Sequence, residues 1–364
     1  MGLHAYRGCL LGMAVGDAMG YTVDSRSWPE IQEDYGPNGL LGYDLANGYA
    51  EITSYTQLAA FTANGLLLGL TRGQMTGKMA PYVQYAALSE LEWAASQRHW
   101  EKIPRTYCWL YHQPEFCRRH CMDTRMLDTL ENRRMGTPEE PQNPFGGPES
   151  LTTAIGVGLF ANPDRAEQAE LDYLGAETVA LTHGSPTAFL SGYALAHIIS
   201  RLIRDPRLSL KPLVRETAEL LKEEFGHQYS QCFELCSLLK MALSLSENPY
   251  QAPVEVMEKL QCYSAAQVLA GVVYACLVSG KDFDTAMIVA VNHSGRSAAV
   301  GAIAGAILGL KLGDQALPAF YMECLEPAEL LGELADDLRD GCPMERGNKL
   351  FDLDWDRKYL HGGV

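Results

Sequence analysis

Basic residues are scarce in this chain: 29 lysines and arginines face 45 aspartates and glutamates, a formal charge of -16. So acidic a surface repels phosphate backbones and anionic lipid heads, which excludes nucleic acid and membrane surfaces as expected partners and leaves small molecules and proteins. Sustained period-2 alternation is missing, so no β-sheet is expected. No apolar run is long enough for a bilayer; the longest, Ser297 to Leu310, is bounded by Arg296 and Lys311 and reads as a core helix. The opening MGLHAYRGCLLGMAVGDAMG lacks the basic segment, apolar stretch and cleavage site of a secretory leader, and the hydroxyl residue that myristoylation of Gly2 needs, so a cytoplasmic location is expected. The ten cysteines form no CxxC pair. Their closest spacings, Cys117/Cys121 and Cys232/Cys236, are i,i+4 on expected helices, and buried reduced thiols are the reading.

What is present is a 3.6-residue apolar repeat in nearly every segment, which predicts an all-α protein. Helices are expected near residues 5–20, 55–72, 77–97, 151–161, 166–181, 186–204, 210–225, 229–246, 264–279, 282–291, 297–312 and 327–340, with Pro and Gly punctuating the gaps. The long irregular segment from Arg133 to Ser150 carries four prolines and three glycines, which forbid a regular element. Helices of similar character flank it, so it reads as an active-site-type loop rather than a domain boundary, and a single domain over 1–364 is expected.

Gly8, Gly12, Gly16 and Gly20 fall at strict four-residue spacing in the first helix, and each costs roughly 0.5–1 kcal/mol relative to alanine. Close approach of a second helix offsets that cost, and Gly301, Gly305 and Gly309 form the matching ridge. Asp17 would lie near this contact, hydrogen-bonded at a helix end or loop, because an unpaired buried carboxylate is too expensive.

These residues carry a resemblance. RGCLLGMAVGDAMGYTVD resembles the opening block of the ADP-ribosylglycohydrolase family, which includes the dinitrogenase reductase-activating glycohydrolases. ITSYTQLAAFTANGLLLG is similar to the family's T-D-D-T-Q-M segment, ALTHGSPTAFLSGYALAHII to its T-H-G helix, and AVNHSGRSAAVGAIAGAILG to its N-H-S-G-D-S-D-S-T-G segment. The blocks keep the family's order and span essentially the whole chain. The resemblance implies an orthogonal multi-helix bundle around a cleft in which two divalent cations orient ADP-ribose and activate water.

Carried over position by position, the metal ligands are missing. Thr53 survives, but Ser54 and Tyr55 stand where the family has two aspartates; Arg296 and Ala298 replace the other two, and Ala299 and Val300 replace hydroxyl residues. Asp24 aligns with the glutamate beside the attacking water. In GGPESLTTAIG, Thr153 stands where the family has an arginine. Magnesium and manganese need several oxygen ligands, some of them anionic, so no metal site and no cofactor is expected. Arg296 either fills the volume of the missing cations, paired with Asp24, or points to solvent from a remodelled loop.

The ligand-binding set expected by resemblance is Thr53, Ser54, Tyr55, His183, Asn292, His293, Ser294, Gly295, Arg296 and Ser297, with Asp24 the candidate catalytic base. His183 and His293 are either acid/base groups or hydrogen-bonded scaffold. Tyr55 opposite Arg296 offers a stacking platform. Tyr107, Trp109, Tyr111 and His112 read as wall or core. Three functions stay open: a pseudoenzyme binding ADP-ribose, another nucleotide or a modified protein; a metal-independent hydrolase of an ADP-ribosyl or other N-glycosidic bond with Asp24 as base; and a structural assembly protein.

Overall fold

The computed structural model describes residues 2–45, 47–98, 105–121, 123–161, 165–347 and 351–363. Among them the regular elements are helices, and the one β contact is an isolated parallel bridge between Ala50 and Leu325. In chain order they are α1 (Leu3–Tyr21), α2 (Trp28–Tyr35), α3 (Ser54–Thr76), α4 (Tyr82–Arg98), α5 (Thr124–Glu131), α6 (Thr153–Leu159), α7 (Gln168–Ala180), α8 (Pro186–Arg204), α9 (Leu210–Phe225), α10 (Gln231–Leu245), α11 (Pro253–Leu260), α12 (Ala265–Val278), α13 (Phe283–Val291), α14 (Ser297–Leu312), α15 (Ala319–Met322), α16 (Ala328–Asp340) and α17 (Leu353–Leu360).

At the centre, α1 and α14 are buried on nearly every side. A helix that is apolar all round has no solvent face to present, so these two form the axis on which the others pack. They run antiparallel along their glycine ridges. A methyl group built on Gly8, Gly12 or Gly16 would land on the carbonyl oxygen of Gly309, Gly305 or Gly301, and one on Gly20 would land on that of Ser297. The reverse holds for Gly301, Gly305 and Gly309. Backbone lies directly on backbone, close enough for Cα–H to face carbonyl oxygen.

Around this axis α12 and α13 pack on α14, and α16 packs on α1. The pairs α3/α4 and α7/α8 are bridged by α6. The outer helices α9 and α16 bury one stripe and expose the other. The side chains inside form a continuous buried cluster from Ala5 to Tyr359. No helix among the described residues is long and apolar enough to cross a membrane.

The twelve expected helices are all present, with differences at ends and in short elements. α3 runs on to Thr76, and Gly77 caps it at φ 68° in the left-handed region. α4 therefore starts at Tyr82 rather than at 77. Four helices of eight residues, α2, α5, α11 and α17, escaped the periodicity reading because two turns are too few for a repeat to register. Their local signals were present: Glu30 accepts from the Ser27 N–H at 2.8 Å, Asp123 and Asp352 cap α5 and α17, and Pro253 opens α11.

All ten cysteines are free. Cys232 and Cys236 do lie on α10, donating to the carbonyls of Leu221 and Ala218, each at 3.2 Å. Cys117 and Cys121 do not share a helix; Cys117 ends a 3-10 turn (Pro114–Phe116) and donates to the Tyr111 carbonyl at 3.2 Å. Trp109 and Tyr111 are buried, and Tyr107 lies against the guanidinium groups of Arg72 and Arg105 at 4.7 and 4.9 Å.

Alanine at Gly12 gains about 1 kcal/mol of helix propensity but drives a methyl into the α14 backbone, so Gly12→Ala should lower the unfolding free energy by about 1–3 kcal/mol. Gly332→Ala in α16, where the new methyl meets nothing within 4 Å, should instead raise it by about 0.5–1 kcal/mol. Urea unfolding of the two variants against the parent chain measures both signs.

Candidate functional site

The glycine contact brings the C-terminal end of α1 against the N-terminal end of α14, and the site is built where they meet. Asp17, buried in the last turns of α1, reaches across to the start of α3. It accepts hydrogen bonds from the Thr53 N–H at 2.9 Å, the Thr53 hydroxyl at 2.6 Å, the Thr56 N–H at 3.1 Å and the Thr56 hydroxyl at 2.6 Å. Burial pushes this carboxyl above its ordinary value, against the pull of the four bonds. The bonds satisfy the orphan amides of α3 and set a negative charge at its positive end. Thr53 is thereby committed to Asp17.

Ser54 and Tyr55 open α3. The Ser54 N–H donates to the His120 carbonyl at 3.3 Å. The Tyr55 carbonyl accepts from the Thr152 hydroxyl at 2.6 Å. The Tyr55 ring is fully buried, its hydroxyl has no hydrogen-bond partner, and burial raises its pKa well above the ordinary tyrosine value. It stays a neutral phenol.

Arg296 projects from the last residue before α14 into a set of acidic partners. One nitrogen donates to Glu149 Oε1; another donates to Ser25 Oγ at 2.9 Å and lies 3.6 Å from Asp24 Oδ2. Its side chain is 19% exposed, while those of Asp24 and Glu149 are 3% and 7% exposed, so the guanidinium lies nearer the surface than the two buried carboxylates. Burial alone would depress its pKa; the neighbouring carboxylates Glu149 and Asp24 raise it instead. Of the two positions open for Arg296, the structure adopts the inward one.

Asp24 has a second task. Its Oδ1 accepts from the Ala298 N–H at 2.9 Å, capping α14, while Oδ2 accepts from the Ser25 hydroxyl at 3.0 Å. Burial raises its pKa, opposed by Arg296 and these bonds. Both oxygens are thus held by the scaffold.

Glu149, absent from the candidates drawn from sequence, is the centre of the cluster. It ends the Arg133–Ser150 loop, and its Oε2 lies 3.2 Å from His183 Nε2 while Oε1 takes Arg296. Burial would raise its pKa, but the hydrogen bond and charge of His183 together with Arg296 lower it to about 2. On its other side His183 Nδ1 meets the hydroxyls of Ser150 at 2.9 Å and Thr182 at 3.0 Å. The Phe145 ring lies edge-on to His183 at 6.3 Å, with the Arg125 guanidinium 4.5 Å from the Phe145 centroid.

The remaining candidates hold the loop itself. Asn292 accepts from the Leu40 N–H at 2.8 Å and donates to the carbonyls of Leu40 and Ile288 at 2.9 and 2.8 Å. His293 donates from Nε2 to the Ala290 carbonyl and accepts at Nδ1 from the Gly295 N–H, each at 2.9 Å. Burial lowers its pKa to about 4, so it is neutral, with both nitrogens on backbone, and acts as scaffold. Ser294 accepts from the Trp28 N–H at 2.8 Å and donates to Glu258 at 2.9 Å. Ser297 donates to the His293 carbonyl at 3.3 Å. Gly295 has no room for a side chain, because a methyl there would meet the carbonyl oxygens of Gln261 and Cys262.

Those two residues and Ser25 adopt left-handed backbone angles, with φ between 54° and 66°, an uncommon conformation for residues other than glycine. Each packs on this turn: Ser25 N–H donates to the Gly295 carbonyl at 3.3 Å and Arg296 N–H to the Cys262 carbonyl at 2.9 Å. Three of the four non-glycine residues with such φ among the described residues thus lie around the turn that carries Arg296, the fourth being Arg133.

A pair of divalent cations does not fit this donor set. The Thr53 hydroxyl faces Asp17, and Asp24 and Glu149 already face a fixed positive charge. Repulsion between unit charges at roughly 4 Å near a protein surface is about 4 kcal/mol, and a dication doubles it. Among the described residues no group of three or more His, Cys, Asp or Glu is placed to hold a metal ion.

A family model described as ADP-ribosylglycohydrolase matches residues 3–348. Among solved structures the chain is similar to an ADP-ribosylglycohydrolase-related protein complex, at 22% identity and a TM-score of 0.58, over 93% of this chain and 98% of that one. A search of curated proteins finds no match.

The depressed pKa of Glu149 gives a signed prediction. A carboxyl at about 2 when folded and near 4.5 when free stabilises the fold fully above 4.5, and that stabilisation is lost as pH falls towards 2. The gap in unfolding free energy between the parent chain and Glu149→Gln should narrow by roughly 3 kcal/mol across that window. Arg296→Gln, which removes one of the cations, should shrink the window. Denaturant titrations from pH 2 to 7 that run parallel for parent and E149Q would rule this pairing out.

Proposed function

The chain belongs to the ADP-ribosylglycohydrolase family, and from that premise we propose that it is a pseudoenzyme: it keeps the family scaffold, does not run dinuclear-metal hydrolysis, and acts by binding ADP-ribose, a related nucleotide or a protein that carries one. The observation that carries this reading is Arg296, seated between Asp24 and Glu149 at the position where the family pattern has a metal-binding aspartate. Its positive charge repels the ions that the family chemistry needs. Hydrolysis without metal through Asp24 is disfavoured by the same geometry, because both Asp24 oxygens serve Ala298, Ser25 and Arg296.

Binding is supported by what surrounds the cluster. Arg296 keeps part of its side chain exposed, and beside the cluster Arg125, paired with Asp123, lies against the Phe145 ring. Such a rim suits a nucleotide through stacking and phosphate contact. A family scaffold that loses its chemistry and keeps recognition is consistent with function residing in the site rather than in the fold.

The test has two arms. With ADP-ribosyl-arginine peptide and manganese, the protein should release no ADP-ribose above the protein-free rate. ADP-ribose should raise the melting temperature, by an amount equivalent to about 2.7 kcal/mol at a hundredfold excess over Kd, and manganese alone should not. Manganese-dependent release would refute the reading. Metal-free release abolished by Asp24→Asn would replace it with the hydrolase.

A further inference from the structure

A cavity lies beside the end of α1, and none of its described lining residues is among the partners of Arg296. It holds about 360 Å3 between Ala18, Tyr21 and Thr22 on one side and Tyr35, Tyr43, Asp44, Tyr49 and Glu51 on the other. Among the described residues, four tyrosines (Tyr21, Tyr35, Tyr43 and Tyr49) and two carboxylates (Asp44 and Glu51) line it, and no Lys, Arg or His does.

The two carboxylates differ. Glu51 is already matched by Arg118 at 2.7 Å and His120 at 3.0 Å. Asp44 is solvent-exposed, accepts only the Tyr35 hydroxyl at 2.7 Å, and has no cationic partner among the described residues. Tyr43 presents a buried hydroxyl without a hydrogen-bond partner, its ring held edge-on to Tyr321 at 5.0 Å. The protein itself shows what such a wall accepts: the Arg118 guanidinium lies 5.0 Å from the Tyr49 ring while pairing with Glu51.

We propose that this cavity binds a small organic cation, an ammonium or guanidinium head on an apolar stem. The aromatic rings attract the cation through their faces, Asp44 neutralises it, and Ala18 and Ala50 give the stem an apolar surface. Phosphate-bearing ligands are disfavoured, since among the described residues the lining offers them the unmatched carboxylate of Asp44 and no cation of its own. This inference goes beyond the pseudoenzyme reading and does not depend on it.

Isothermal titration of the full chain with choline, agmatine and an otherwise uncharged peptide bearing one arginine tests it, with AMP as the anionic control. Choline or agmatine should saturate one site, weaken as salt rises, and lose about tenfold in affinity in Asp44→Asn, an exposed position whose substitution leaves the melting temperature unchanged. Tyr49→Ala should weaken binding independently. Tighter binding of the peptide than of agmatine points to a protein side chain as the source, and the reverse to a free small molecule. The proposal fails if neither cation saturates, if both variants bind as the parent does, or if AMP binds better and D44N strengthens it.

Discussion

The backbone contact between α1 and α14 is the constraint from which the rest of the molecule follows. Two helices that touch through glycine on both sides have no side-chain layer to slide on, so their register is set to within a fraction of a turn. The antiparallel register brings Gly20 onto Ser297, which delivers the residues after α1 to the N-terminus of α14. Asp24 then caps α14 through Ala298, and Arg296, one residue before that helix, is aimed at Asp24 and Glu149. A change in the packing of the central pair would therefore be felt first as a change in charge geometry at the site.

That geometry sets one fixed positive charge against two buried carboxylates. Two buried carboxylates cannot stay ionised side by side without a cation, and the guanidinium meets that need with directed hydrogen bonds. It also carries its charge permanently and cannot be exchanged for solvent ions. Glu149 benefits most, because it takes Arg296 on one oxygen and His183 on the other, and its acidity records both. The loop that supplies Glu149 is tied down at several points, including Asn143 to the Thr182 carbonyl at 2.9 Å and Ser185 N–H to the Phe145 carbonyl at 3.0 Å.

Much of the fold was legible in the residue pattern. A 3.6-residue repeat marks long helices whatever their neighbours, and the matched glycine ridges announced their own partner because glycine at four-residue spacing is costly unless another backbone lies against it. Short helices such as α2 and α11 were not legible by periodicity, since eight residues rarely carry a repeat. Asn292 and His293 were grouped with ligand-binding residues by resemblance, and the structure turns their polar atoms to Leu40, Ala290 and Gly295 instead. Glu149 went unrecognised although it is the one acidic residue in the GGPESLTTAIG block. A lone glutamate in a Gly-Pro loop has no local pattern to mark it.

By itself, the amino-acid order determined that this is an acidic, all-helical chain with a glycine-packed axis, and that Ser54, Tyr55, Arg296 and Ala298 stand where the resemblance expects aspartates. Those properties depend on residue type and short spacing, which act locally. Only the tertiary structure decided that Arg296 turns inward, that Glu149 and His183 meet it, and that four tyrosines surround a carboxylate without a cation. Residues 24, 149, 183 and 296 lie far apart in the chain, and charges interact through space over a few ångströms, so their partners are set by packing and not by proximity in sequence.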